Sequence, residues 1–154
     1  MKMYSIFDVA NWFLSKEPMI QKKVQKLCYF AQAWHLTLYE TPLIACKFEA
    51  WAHGPMNPEL WKELKDFLLW NIPQDCFSSF AKKIEDEDIE FLEKVWNTYG
   101  EYNGFQLESI TLTDRAWLKA RGYTPDGHMC KNEISERDMK IFYKALHEMD
   151  ENEG

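Results

Sequence analysis

Apolar residues recur at helical spacing through most of the chain. Ile6, Val9, Ala10, Phe13 and Leu14 follow Ser5, which is placed to cap a helix with Asp8 three residues on; Pro18 closes the unit. A longer helix is expected from about Met19 to Tyr39. Its buried stripe reads Val24, Leu27, Cys28, Ala31, Trp34 and Leu38, with Gln21, Lys22, Gln25 and Lys26 toward water, and Thr41-Pro42 ends it. Between Ile44 and His53 the period drops to two: Phe48, Ala50 and Ala52 point one way, Glu49, Trp51 and His53 the other. This predicts one short strand, with a partner near Cys130 to Glu133 and a turn at Gly54-Pro55.

Asn57-Pro58 then reads as a helix start, with Leu60, Trp61, Leu64, Phe67 and Leu68 as the apolar face. A loop from Asn71 to about Lys83 leads to a helix headed by Glu85, Asp86, Glu87 and Asp88, where carboxylates meet the positive end of the helix dipole. Ile89, Leu92, Val95, Trp96 and Tyr99 bury that helix, and Gly100 stops it. A short helix over Phe105–Ile110 precedes another capped by Thr113 and stopped at Gly122. In the last helix Ser135 is the cap, Asp138 the third residue, and Ile134 and Met139 a hydrophobic staple. The acidic stretch from Glu148 is expected to fray.

Three valines against fourteen leucines disfavour a buried parallel sheet. The expected fold class is mainly α with a minor β element (α+β): a single compact domain of about six helices with a short strand or small sheet. At 154 residues there is length for one domain. No apolar run approaches a membrane span, and the N-terminus lacks a signal-peptide layout, so no membrane partner is expected.

Lys plus Arg is 18 and Asp plus Glu is 25, a formal net charge of -7. This argues against general nucleic-acid binding. One basic cluster, Lys22, Lys23 and Lys26, reads as a solvated helix face, or else as a contact surface for an acidic partner. Cys28, Cys46, Cys76 and Cys130 form no CxxC pair, and the four histidines stand at no zinc-ligand spacing around them. Free thiols in a reducing cytoplasm are expected, with neither metal nor cofactor. No Gly-rich phosphate loop, GxSxG elbow or HExxH pattern is present. A nucleophile built from Cys28 or Cys46 with a histidine is the weakest reading, and the chain is not expected to be an enzyme.

Two aromatic-and-histidine clusters stand out: Gln32-Ala33-Trp34-His35 in the long helix, and Glu49-Ala50-Trp51-Ala52-His53-Gly54-Pro55 where the strand turns. Together with the preceding Val24-Gln25-Lys26-Leu27-Cys28-Tyr29-Phe30-Ala31, they resemble the hallmark pattern of the Panacea domain of SocA-like antitoxins, often found as phage-associated proteins. Asp8-Val9-Ala10, Leu107 through Trp117 and Ile134 to Tyr143 resemble its opening, later and closing segments. Two positions depart from the family pattern: Leu112 stands where a His is usual, and Ala116 where a Pro is. The resemblance implies a domain over residues 1–147, followed by the acidic tail 148–154. It implies an antitoxin that neutralises a co-encoded protein toxin by direct contact, or, as the alternative, an adaptor delivering the toxin to a cellular AAA+ protease. Trp34, His35, Trp51, His53, Gly54, Pro55, Trp61 and Trp117 are the expected scaffold, part packing and part recognition, and self-association is left open.

Overall fold

A computed structural model describes residues 3–153. In chain order it holds α1 (Ile6–Leu14), α2 (Gln21–Tyr39), β1 (Glu49–Trp51), β2 (Gly54–Met56), α3 (Pro58–Leu64, tightening into a 3-10 turn over Lys65–Phe67), α4 (Asp86–Tyr99), α5 (Gly104–Thr111), α6 (Arg115–Arg121) and α7 (Glu136–Glu153). The architecture is α+β, as expected.

Local caps set the element starts. Ser5 Oγ accepts the Asp8 N–H at 3.1 Å, and the Asp8 carboxylate accepts the Ser5 N–H at 3.0 Å, a reciprocal box that opens α1. Asn57 caps α3 with Pro58 at the first helical position. Ser135 Oγ accepts the Asp138 N–H at 3.0 Å, and Ile134 and Met139 beside it are buried. One cap differs from expectation. Asp114, not Thr113, caps α6, because its carboxylate takes the Trp117 N–H at 3.0 Å and also accepts the Tyr29 and Tyr143 hydroxyls at 2.9 and 2.8 Å. Burial raises the Asp114 carboxyl above its usual range, and these donors pull it back.

α2 is the axis of the molecule. It packs against α1, α3, α4, α5, α7 and β2. An encircled helix has no water face, and this overturns part of the sequence reading. Gln25 and Lys26 are completely buried, and Gln21 and Lys23 nearly so, whereas Leu38 at the far end is exposed. The two inner glutamines hold non-helical chain. Gln25 donates Nε2–H to the Asn57 carbonyl at 3.1 Å and accepts the Asn57 N–H at 2.8 Å. Gln32 Oε1 accepts the N–H groups of Leu43 and Ile44 at 3.0 and 2.9 Å, and its Nε2 donates to the Ile44 carbonyl. Lys23 donates to the Gly100 carbonyl at 2.6 Å.

The small sheet is an antiparallel hairpin with Glu49 opposite Met56, Ala50 opposite Pro55 and Trp51 opposite Gly54. Gly54-Pro55 is therefore strand, and the reversal falls on Ala52-His53. Proline is tolerated because β2 is an edge, where a missing N–H breaks no ladder. The other edge of β1 finds the anticipated partner. Ala50 N–H bonds the Asn132 carbonyl, Ile134 N–H bonds the Phe48 carbonyl, and Glu49 bridges Glu133. Arg121, buried, ties the same region by donating to the carbonyls of Ala50, Pro125 and His128 at 2.9, 2.9 and 2.7 Å. α7 extends through Glu153, taking in the acidic stretch from Glu148. Among the described residues, no helix is long and apolar enough to cross a membrane.

Gln25→Leu should leave the Asn57 N–H and C=O buried without partners and lower stability by about 2–4 kcal/mol. Urea titration would show a reduced midpoint at unchanged slope, while Gln74→Ala, on the exposed loop, should leave the midpoint within error.

Candidate functional site

The hairpin turn and the end of α3 enclose a cavity of about 240 Å³ over the first turns of α2. Its walls are aromatic and apolar. Trp51 and Trp61 meet edge to face with ring centroids 5.4 Å apart, and Met56, Leu68, Leu69 and Met129 complete the rim. Trp51 is fixed from both ends: its indole N–H donates to Glu49 at 2.7 Å, and its carbonyl accepts the Trp117 indole N–H at 2.8 Å. Trp117 is itself buried, with the Arg121 guanidinium 5.1 Å over its ring.

Gly54 explains how the floor forms. Its φ is +107°, and an added Cβ would lie 2.5 Å from Thr111 Oγ1 and 3.0 Å from Lys26 Cε. Only glycine lets the hairpin press onto the Lys26 stem, which leaves Lys26 fully buried at the floor of the cavity. Lys26 Nζ has Met56 Sδ at 3.4 Å and no oxygen acceptor. Burial lowers its pKa to about 7; repulsion from Lys22 adds to the shift and attraction to Glu108 opposes it. Glu108 is engaged by Lys22 in an ion pair, with His53 Nδ1 3.8 Å away. Gln21 also lines the cavity, and its buried Oε1 has no hydrogen-bond donor.

The eight residues anticipated from sequence fall into two groups. Trp51, His53, Gly54, Pro55, Trp61 and Trp117 all belong to the hairpin or its supports, with Trp51, His53 and Trp61 on the cavity itself. Trp34 and His35 look elsewhere. The Trp34 indole donates to the Tyr99 hydroxyl at 2.7 Å and packs on Tyr143; His35 Nδ1 bonds the Thr41 carbonyl at 2.5 Å and its ring meets Phe91. What periodicity misses is the polar floor and the apolar rim. The spacing of seven between Gln25 and Gln32, which puts two amides on one face of α2, signals that polar side chains of this helix turn inward, and leaves the floor residues themselves unmarked. The run Leu68-Leu69-Trp70, three large apolar residues on a loop, signals the rim.

Lys22 and Lys26 thus correct the picture of a solvated basic face: one is paired to α5 and the other is buried at the cavity floor. The four cysteines are unpaired thiols. Burial pushes the Cys28 and Cys46 thiols up, the opposite of what a thiolate nucleophile requires. Among the described residues, Glu85, Glu87 and Asp88 are the one trio whose ligand atoms lie close enough to share a cation. They sit at the start of α4, where acidic side chains are favoured without one. The cavity is suited to holding an apolar group that carries its own hydrogen-bonding atoms.

A family model described as antitoxin SocA-like, Panacea domain, matches residues 24–118. Among curated proteins the chain is similar to the antitoxin SocA of Caulobacter vibrioides (strain NA1000 / CB15N), 31% identical over 117 aligned positions that take in 67% of this chain and 62% of that relative. The match therefore spans less than two thirds of the curated relative. No solved structure matches the chain significantly.

The buried amine makes stability depend on pH with a definite sign. The unfolded chain binds the Lys26 proton up to about pH 10.5 and the folded chain only to about 7. Between those values the unfolded state holds the extra proton, so folding is favoured increasingly as pH rises. Lys26→Met should be more stable than the wild type at pH 6, and the gap should close at up to ~1.4 kcal/mol per pH unit between about pH 7 and 10. Urea titrations across that range measure it; a gap independent of pH would refute the burial of the charge.

Proposed function

The chain belongs to the antitoxin SocA-like Panacea domain family, and from that membership we propose that it neutralises a co-encoded protein toxin in the cytoplasm by binding it directly through the hairpin cavity and its rim. The observation that carries this reading is the apolar rim. Leu68 and Leu69 on the rim, and Trp70 next to them in the chain, are 70%, 67% and 76% exposed. Leu68 is held at φ +52°, a backbone state that side chains with a Cβ rarely adopt, so the loop presents these residues against a local conformational preference. Exposed leucines beside a cavity lined by Trp and Met have the composition of a protein interface core. The chain as a whole is acidic, with a formal net charge of -7, which speeds encounter with a basic toxin.

The site asks for no bond-making. No cysteine is among the residues that line it, burial raises the Cys28 and Cys46 thiols elsewhere in the chain, and its lysine is a buried donor at the floor. Recognition by apolar burial, with a polar anchor at the floor, is the chemistry that this surface supports.

Co-expression with the adjacent reading frame tests the proposal. Wild-type protein should restore growth and retain the toxin through affinity purification. Leu69→Asp with Trp70→Glu, both on exposed side chains, should fold normally and weaken capture at least ~30-fold, the loss of about 2 kcal/mol typical of an interface hot spot. Undiminished capture by this variant would remove the rim from the interface. Toxin lifetime in the same cells separates the two modes: restored growth at unchanged turnover is sequestration, and accelerated turnover is delivery to a protease.

A further inference from the structure

Two atoms at the floor of the hairpin cavity have hydrogen-bonding needs that the chain does not meet, and they are of opposite kind. Lys26 Nζ is a buried donor whose contact is a thioether, with the one carboxylate in its field, Glu108, already engaged by Lys22. Gln21 Oε1 is a buried acceptor without a donor, on a residue only 8% exposed. Elsewhere on α2 every buried amide is satisfied, so this pair departs from the rule that the same helix obeys. Both residues line the cavity, and its walls are apolar.

These features specify an occupant. Lys26 calls for an acceptor, and an anion is preferred because the Glu108 carboxylate is offset by Lys22. Gln21 calls for an N–H. Trp51, Trp61 and Met56 call for apolar surface. A cavity of about 240 Å³ exceeds the ~150 Å³ that admits a benzene ring, which leaves room for one large side chain with its backbone groups and not for a folded segment. An internal Asp or Glu brings the charge on a polar stem, and its chain must leave the cavity in both directions. The last residue of a protein brings a carboxylate, a peptide N–H and an apolar side chain together, and its chain leaves only once.

We propose that the cavity captures the free C-terminus of the protein partner, ending in a large apolar residue, with the terminal carboxylate on Lys26, its peptide N–H on Gln21 Oε1 and its side chain against Trp51 and Trp61. This rests on the reading that the partner is a protein held at the hairpin, and it names the part of the partner that is held.

The test uses the purified full chain and short fluorescein-labelled peptides, followed by fluorescence anisotropy. A peptide ending in leucine with a free carboxylate should bind at least about tenfold more tightly than the same peptide amidated. Lys26→Met should abolish that preference, Gln21→Leu should weaken the acid peptide, and Trp61→Ala should weaken both peptides alike. Equal binding of acid and amide by the wild type would overturn the proposal, as would a preference that survives in Lys26→Met. So would an amidated peptide with an internal glutamate binding as tightly as the acid. N-acetyl-leucine matching the peptide's affinity would assign the pocket to a small carboxylate instead, and overturn capture of a chain end. The outcome is separable from that of the functional reading: toxin capture without acid preference defeats the inference alone, and acid preference without toxin capture defeats the reading alone.

Discussion

Each buried amide on α2 must find its hydrogen bonds in chain that is not helical, because an unpaired polar group in the interior costs more than a packed apolar one. Gln25 and Gln32 stand two turns apart on one face and meet this constraint by gripping backbone: Asn57 in one case, Leu43 and Ile44 in the other. Those contacts bracket the hairpin on both sides. Because Asn57 is also the cap of α3, one glutamine fixes the end of β2 and the start of the helix that carries Trp61. Tyr29, between the two glutamines, reaches Asp114 and through it α6 and α7. The irregular middle of the chain thus takes its position from side chains of a single helix.

This arrangement explains what could be foreseen from sequence. Ser5 with Asp8, Asn57-Pro58 and Ser135 with Asp138 are local devices, complete within a few residues, and their roles follow from spacing alone. The faces of α2 are not local. A helix of 19 residues with lysine and glutamine at regular intervals reads as amphipathic, and only its encirclement by six other elements turns those polar positions inward. The Gly54-Pro55 pair misleads for a related reason. Glycine followed by proline suggests a reversal, yet here glycine serves the approach of Lys26 and proline sits on an edge strand. Thr113 and Asp114 are both capping residues, and what decides between them is the second duty of Asp114 toward two tyrosines.

The candidate site divides in the same way. The aromatic residues around the hairpin are conspicuous in the sequence because tryptophan is rare and costly to expose, and six of the eight anticipated residues do gather there. Trp34 and His35 share the motif and not the place, because a helix of that length carries neighbours in sequence to different neighbours in space. The lysine at the floor is invisible to pattern, since its burial depends on a glycine twenty-eight positions away.

A lysine buried at the floor of a cavity without an oxygen partner leaves the free protein short of the stability that its core would otherwise confer. An occupant supplying the missing acceptor would bind the folded state alone and draw the chain toward it. The solitary and the engaged molecule would then differ in how often they open to a protease. Copies with the cavity empty would be cleared sooner than copies with it filled, and the amount of protein kept would follow the supply of that occupant.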